Sequence, residues 1–184
     1  MRFITDYRRL NQKLVRKPYL LPRIGETMHQ LKGFQYGTEL DINKGYYTIR
    51  LSPASQDMTT IVTEFGEFRY NLLPMGMCAS GDIFLAKVDE LLDDIESVKT
   101  YIDDILVLGK DSFENHIKQL IIIFGRMRAT GLKVNAPKCS FGLKEFPLLG
   151  YVITWEGIKT NPKKLQGIMD IVGPSTRTEA RELT

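Results

Sequence analysis

The chain has 184 residues, 43% of them apolar and 26% charged, with a formal net charge of +3 at pH 7; that balance suits one domain, or one large lobe of a bigger protein, with an apolar core. No apolar run approaches the roughly 20 residues that span a bilayer, and nothing at the N-terminus resembles a secretory signal, so a membrane protein is excluded as an expectation and intracellular residence is the default. Cys78 and Cys139 lie far apart, outside any CxxC spacing, and are read as isolated thiols with no assigned chemistry.

The charge is unevenly laid out. Up to Arg23 the chain carries Arg2, Arg8, Arg9, Lys13, Arg16, Lys17 and Arg23 against Asp6 alone, an excess that either attracts phosphate or forms a solvated basic face. From Met1 to Lys17 the pattern is polar, with Tyr7, Leu10 and Val15 as scattered anchors, and Pro18 and Pro22 then hold the chain extended. Ile24, Met28 and Leu31 share a helical face, with Gly33 placed to end that helix. Tyr36 to Ile42 alternates as a strand does, with Thr38, Leu40 and Ile42 on one side and Glu39 and Asp41 on the other. Asn43-Lys44-Gly45 is turn chemistry, and Tyr46 to Leu51 resumes a β-prone or short helical run.

Thr59 to Phe65 and Phe68 to Leu72 read as a hairpin turning at Gly66-Glu67. Leu73-Pro74-Met75-Gly76 leaves as a loop. Ser80 is placed to cap a helix with Asp82 in its first turn, and Phe84, Val88, Leu91 and Ile95 mark its buried stripe. Asp89, Glu90, Asp93 and Asp94 lie mostly off that stripe and read as a solvated face.

In Tyr101-Ile102-Asp103-Asp104-Ile105-Leu106-Val107-Leu108 two adjacent acids interrupt an apolar, β-prone segment. Burying an unpartnered carboxylate costs several kcal/mol, which leaves two readings of this stretch: a hairpin tip with both acids solvated, turning at Asp103-Asp104, or a cation site. Ser112 then caps a second helix whose Ile117, Leu120, Ile121, Phe124 and Met127 point inward, with Gly131 as its stop. His116 has no second ligand at useful spacing, which favours a structural hydrogen bond. Leu132 to Val134, Cys139 to Phe141 and Leu148 to Ile153 read as short strands. Asn161-Pro162 opens a further helix that Gly173-Pro174 breaks, and Thr176 with Glu179 would form a capping box for another.

The resulting order, β-α-β-β-α-β, is the split βαβ or ferredoxin-like arrangement of the α+β class, an antiparallel sheet with both helices on one face. That topology sets the first strand beside the central hairpin, which brings Asp41 next to Asp103 and Asp104 and tips the balance toward a cation. Three crowded carboxylates repel one another unless a cation neutralises them. Mg²⁺ is hard, prefers oxygen ligands, and commonly takes one or two protein carboxylates plus substrate phosphates; a pair of ions roughly 4 Å apart can hold the attacking and leaving oxygens of a phosphoryl transfer. Asp41 and Asp103 would bridge the two ions, with Asp104 supporting the geometry or the second ion, and Mn²⁺ is the natural substitute.

The chain resembles the reverse transcriptase of gypsy-type LTR retrotransposons. The resemblance is carried by Thr5-Asp6-Tyr7-Arg8-Arg9-Leu10-Asn11, Leu21-Pro22-Arg23-Ile24, Leu40-Asp41 with Gly45-Tyr46, and Leu73-Pro74-Met75-Gly76. It continues through Tyr101-Ile102-Asp103-Asp104, Asn135 to Cys139, Leu149-Gly150-Tyr151 and Gly157-Ile158. It implies a right-hand polymerase fold in which residues 1–35 and 52–79 are fingers, 36–51 and 80–158 palm, and 159–184 the start of a thumb. It further implies RNA-directed DNA polymerase activity, adding dNTPs to a primer 3′ end on an RNA or DNA template. Asp41, Asp103, Asp104 and the Ile42 carbonyl would hold the metals. Tyr46 would be the steric gate against a ribose 2′-hydroxyl, and Arg2 would contact the incoming triphosphate. Lys138 would be the general acid for pyrophosphate, and Gly76 would lie in a loop that touches template.

Other parts of a Pol polyprotein (protease, thumb, RNase H, integrase) would be its covalent partners, and the cytoplasmic virus-like particle, or the nucleus, its location. The chain departs from the family where Leu85 follows Phe84 in place of the usual glutamine, and where Gly81 replaces a common proline. The upstream fingers strand would precede Met1, which marks the chain as an excerpt of a polyprotein or a truncated copy. The rival reading is a non-catalytic nucleic-acid-binding remnant of the same fold.

Overall fold

The computed structural model describes residues 5–20, 31, 33–101, 104–148 and 150–160. The expected helix around Ile24 to Leu31 and those after Asn161 lie outside these residues, except for Leu31 itself. After a short helix α1 (Arg8–Asn11) come β1 (Tyr36–Asp41), a 3₁₀ turn (Gly45–Thr48), α2 (Pro53–Asp57) and the strands β2 (Ile61–Thr63) and β3 (Gly66–Phe68). Helix α3 (Ser80–Leu92), β4 (Val98–Tyr101), β5 (Asp104–Gly109) and α4 (Phe113–Thr130) follow, then a 3₁₀ turn (Ala136–Lys138) and β6 (Ser140–Leu143). The last described elements are β7 (Glu145–Leu148), β8 (Tyr151–Thr154) and β9 (Gly157–Thr160).

The central sheet runs β4-β5-β1-β6 with antiparallel pairing. Taken in chain order its strands stand second, third, first, fourth, which is the split βαβ arrangement expected from the element order. Strand β5 is an almost unbroken apolar run because both its faces are covered. Leu40, Ile105 and Val107 point to one face, where Phe84, Val88 and Leu92 of α3 and Leu120, Ile123 and Met127 of α4 close the larger core. Leu106 and Leu108 point the other way and meet Leu31, Phe34, and Phe146, Leu148 and Ile153 of the β7-β8-β9 sheet. Period-two alternation therefore assigns Glu39, Asp41 and Asp104, in register with Leu106 and Leu108, to the face opposite the helices.

Several local expectations shift. The first hairpin turns at Glu64-Phe65, not Gly66-Glu67, because Thr63 pairs with Gly66. The central hairpin closes with Tyr101 facing Asp104, so Asp104 is a strand residue and not part of the turn. Leu148 to Ile153 divides into β7 and β8 around Gly150, with Pro147 tolerated because β7 is an edge strand. Cys139 only caps the 3₁₀ turn Ala136–Lys138, and β6 begins at Ser140, while Val134 makes only a single bridge, to Ile42.

Ser112 caps α4 by accepting from Asn115 N at 3.2 Å, and Gly131 ends it at φ 74°, a left-handed position suited to glycine. Its inward face is His116, Leu120, Ile123 and Met127. Ile117 and Ile121 are exposed instead: the run Leu120 to Phe124 is apolar on nearly every side, so the sheet and not the periodicity selects the buried stripe. Ser80 opens α3 without capping it; its hydroxyl donates to Pro74 O at 2.7 Å. Among the described residues no helix is long and apolar enough to cross a membrane.

Candidate active site

Antiparallel pairing of β1 with β5 sets Asp41 directly opposite Asp104, at the end of the central sheet. Directly opposed residues on one face have Cβ atoms about 5 Å apart, close enough for like charges to repel. Both residues are half-exposed. Glu39, one pleat further in and also half-buried, has its carboxyl raised above the ordinary value of 4.5, first by burial and then by the charges of Asp104 and Asp41. Glu39 was legible as Asp41's neighbour on the same face, but only the register shows it crowding both aspartates. Asp103 and Arg2 lie outside the described residues.

Backbone geometry orders the surroundings of Asp41. Asn135 N donates to Asp41 O at 2.9 Å, and Asn43 N to Lys133 O at 2.8 Å, flanking the Ile42–Val134 bridge. In such a bridge the middle residue's own carbonyl points away from its bridge partner, so the Ile42 carbonyl faces the β5 side of β1. The turn that follows the bridge partner brings Lys138 Nζ to 3.4 Å from Asp41 Oδ2. Lys138 is 64% exposed and Asp41 26%, so the pair is solvent-screened.

Tyr46 sits on the 3₁₀ turn after Lys44, which takes a left-handed conformation (φ 52°) to reverse the chain after β1. The Thr48 hydroxyl donates to Gly45 O at 2.6 Å and tightens this turn. The ring of Tyr46 packs on Phe84 of α3, with centroids 4.9 Å apart and planes tilted by 35°. Gly45 is required beneath it, since a Cβ there would come within 2.5 Å of the Phe84 ring. Leu85 lies half-buried on the same helix and, as a leucine, has no side-chain hydrogen-bonding group.

Gly76 takes φ 95° in its loop. The Asn11 amide straps that loop to the N-terminal segment, donating to Gly76 O and accepting from Cys78 N, both at 2.9 Å. The basic N-terminal segment is not uniformly available to phosphate. Arg8 is paired with Asp6, whose carboxyl it holds down at about 2, and Arg16 is paired with Asp82.

Carboxylates opposed across two strands are hard oxygen donors of the kind a divalent cation takes. Among the described residues no group of three His, Cys, Asp or Glu is placed to hold a metal; Asp103, the third expected carboxylate, falls outside that set.

Residues 1–153 match the family described as reverse transcriptase (RNA-dependent DNA polymerase). The chain is 33% identical over 182 residues to the retrovirus-related Pol polyprotein from transposon 412 of Drosophila melanogaster, a match that covers 98% of the chain and 15% of the polyprotein. The foamy viral protease-reverse transcriptase dRH, solved in complex with double-stranded DNA, superposes with a TM-score of 0.84 at 25% identity over 98% of the chain and 32% of that protein. The foamy viral protease-reverse transcriptase solved with an RNA/DNA hybrid superposes at 0.80 with 25% identity, covering 97% of the chain and 24% of that protein. The chain thus spans only a minor part of these relatives. By a family match that extends over most of its length and takes in the β1–β5 carboxylate pair, the chain belongs to the reverse transcriptase (RNA-dependent DNA polymerase) family.

Proposed function

We propose that this chain forms part of the fingers and most of the palm of an RNA-directed DNA polymerase from a retrotransposon Pol polyprotein. It would add dNTPs to a primer 3′ end on an RNA or DNA template. The observation that carries this reading is the register that opposes Asp41 and Asp104, with Glu39 electrostatically loaded behind them. Asp41, Asp104, Asp103 and the Ile42 carbonyl would hold two Mg²⁺ ions, or Mn²⁺ in their place. When bound, such ions supply the positive charge that draws the primer 3′-oxygen and the triphosphate into line.

The chain's own residues then orient and select. Tyr46, braced on Phe84, blocks the space of a ribose 2′-hydroxyl and so favours deoxynucleotides. Arg2 contacts the triphosphate as a planar cation. Lys138, 3.4 Å from Asp41 Oδ2, would protonate the departing pyrophosphate. The loop at Gly76, strapped by Asn11, lies against the template. Residues 1–35 and 52–79 act as fingers, 36–51 and 80–158 as palm, and 159–184 begin the thumb. Binding of template-primer would weaken with salt, as phosphate-backbone contacts do. The protein would work in the cytoplasmic particle or the nucleus, joined to the remaining Pol domains.

Primer extension on an RNA template with Mg²⁺, in the Pol protein that contains this chain, tests the reading. Asp41→Asn is expected to reduce extension by about 1,000-fold, the scale of losing several kcal/mol of metal-borne charge stabilisation, while template-primer binding is kept. Leu85 favours a second reading, a binding remnant without turnover. Equal, negligible extension by wild type and Asp41→Asn, with both binding template-primer, would establish that reading and sink the first.

A further inference from the structure

We propose that the helix-side face carries a binding site for an amphipathic organic anion, an apolar body of about two fused or linked rings bearing one sulfonate or carboxylate. A cavity of about 500 Å³ opens between the turn that follows β1, helix α3 and the end of α4. That volume lies within the range of small-molecule sites, which are mostly apolar with a few fixed polar groups. The opposed carboxylates of the candidate active site lie on the other face of the sheet.

The walls are apolar: Ile49, Phe84, Val88, Leu91 and Leu132. Charge is confined to three groups, Arg50, Lys87 and Glu90. Lys87 Nζ and Glu90 Oε2 are 2.5 Å apart and neutralise each other. Arg50 is exposed and makes no ion pair within the described residues, so the cavity presents an apolar interior beside one uncompensated guanidinium. That pairing selects an anion with an apolar body over a neutral or cationic one. The floor matters too. Phe84 lines the cavity on one side and stacks on Tyr46 on the other, and Thr48 and Ile49 continue the turn that carries Tyr46. An occupant would therefore bear on the ring that braces Tyr46.

The site is independent of turnover, so binding to the intact chain tests it directly. The probe is 1-anilinonaphthalene-8-sulfonate, with N-phenyl-1-naphthylamine as the same body lacking the sulfonate. Wild type is expected to bind the sulfonate saturably, one per chain, at least fivefold more tightly than the neutral analogue. Arg50→Ala should abolish that preference, and Arg50→Lys should restore most of it. Leu91→Trp, which fills the half-buried mouth, should reduce binding of both probes at least fivefold with the circular dichroism spectrum unchanged. Ile121→Asp, on the exposed face of α4, should leave binding as in wild type. Loss of binding in Ile121→Asp with retention in Leu91→Trp would place the probe on the α4 face and overturn the proposal, as would equal affinity of wild type for the two probes.

Discussion

Two groups of acids in this chain are built in opposite ways. Three on or just past α3 are matched by partners: Asp82 is 8% exposed and takes Arg16 Nε at 2.6 Å and Tyr19 N at 3.0 Å. Asp89, half-buried and not simply solvated as its position suggests, accepts from Thr100 Oγ1 at 2.9 Å and from the Tyr19 hydroxyl, which it pushes up to about 12. Asp94 is held by Arg126, whose Nη1 also donates to Leu91 O at 2.9 Å. On the sheet, by contrast, Glu39, Asp41 and Asp104 are gathered against one another, with the exposed Lys138 near Asp41. An acid matched with a cation of its own chain holds the fold together, whereas like charges facing one another across paired strands cost stability that a nearby cation relieves.

Charge removal should therefore act with opposite sign in the two groups. The largest effect is expected for Asp82→Asn, which removes the buried carboxylate that the exposed Arg16 and the Tyr19 amide both bind and loosens residues 16–19 from α3, lowering the melting temperature by several degrees at pH 7. Arg16 and the Tyr19 amide hold the Asp82 carboxyl below its ordinary 3.8. The stabilisation is complete above that value and fades as pH falls through the depressed one, so thermal melts of variant and wild type should converge in strong acid.

A smaller fall is expected for Arg126→Ala, because its partner Asp94 is 60% exposed and solvent screens the pair. Added salt should shrink the ionic part of that fall and leave the lost bond to Leu91 O. The smallest effect, and of opposite sign, belongs to Glu39→Gln. A carboxyl raised in the folded state costs stability once ionised, as pH rises from 4.5 through the raised value. The variant should match wild type below 4.5 and melt at the same or a slightly higher temperature at neutral pH. A fall as large as that of Asp82→Asn would show that Glu39 is a structural acid and break the distinction.

Much of the architecture was legible. The alternation over Tyr36 to Asp41, the apolar run after Asp104 and two helices, the second capped by Ser112 and Gly131, imply the split βαβ order, and that order alone brings Asp41 to the central hairpin. His116 does make the structural hydrogen bond expected of it, 2.8 Å from Nε2 to Thr38 Oγ1, and burial lowers its pKa. The errors share a cause. Turn positions at Glu64-Phe65 and before Asp104 are set by which residues pair across the strands, and the buried face of α4 by which side meets the sheet. Neither is a local property.

The sequence by itself determined the residue types and the period-two and helical patterns, because these depend on side chains a few positions apart. From them follow the fold class, the acids at the end of β1 and the start of β5, and the tyrosine five residues beyond Asp41. Only the tertiary structure decided which acids face each other and which find cations. Asp82 meets Arg16 across 66 residues of chain, and Asp41 meets Lys138 across 97. Electrostatic energy depends on distance in space and on burial, and no spacing along the chain encodes either.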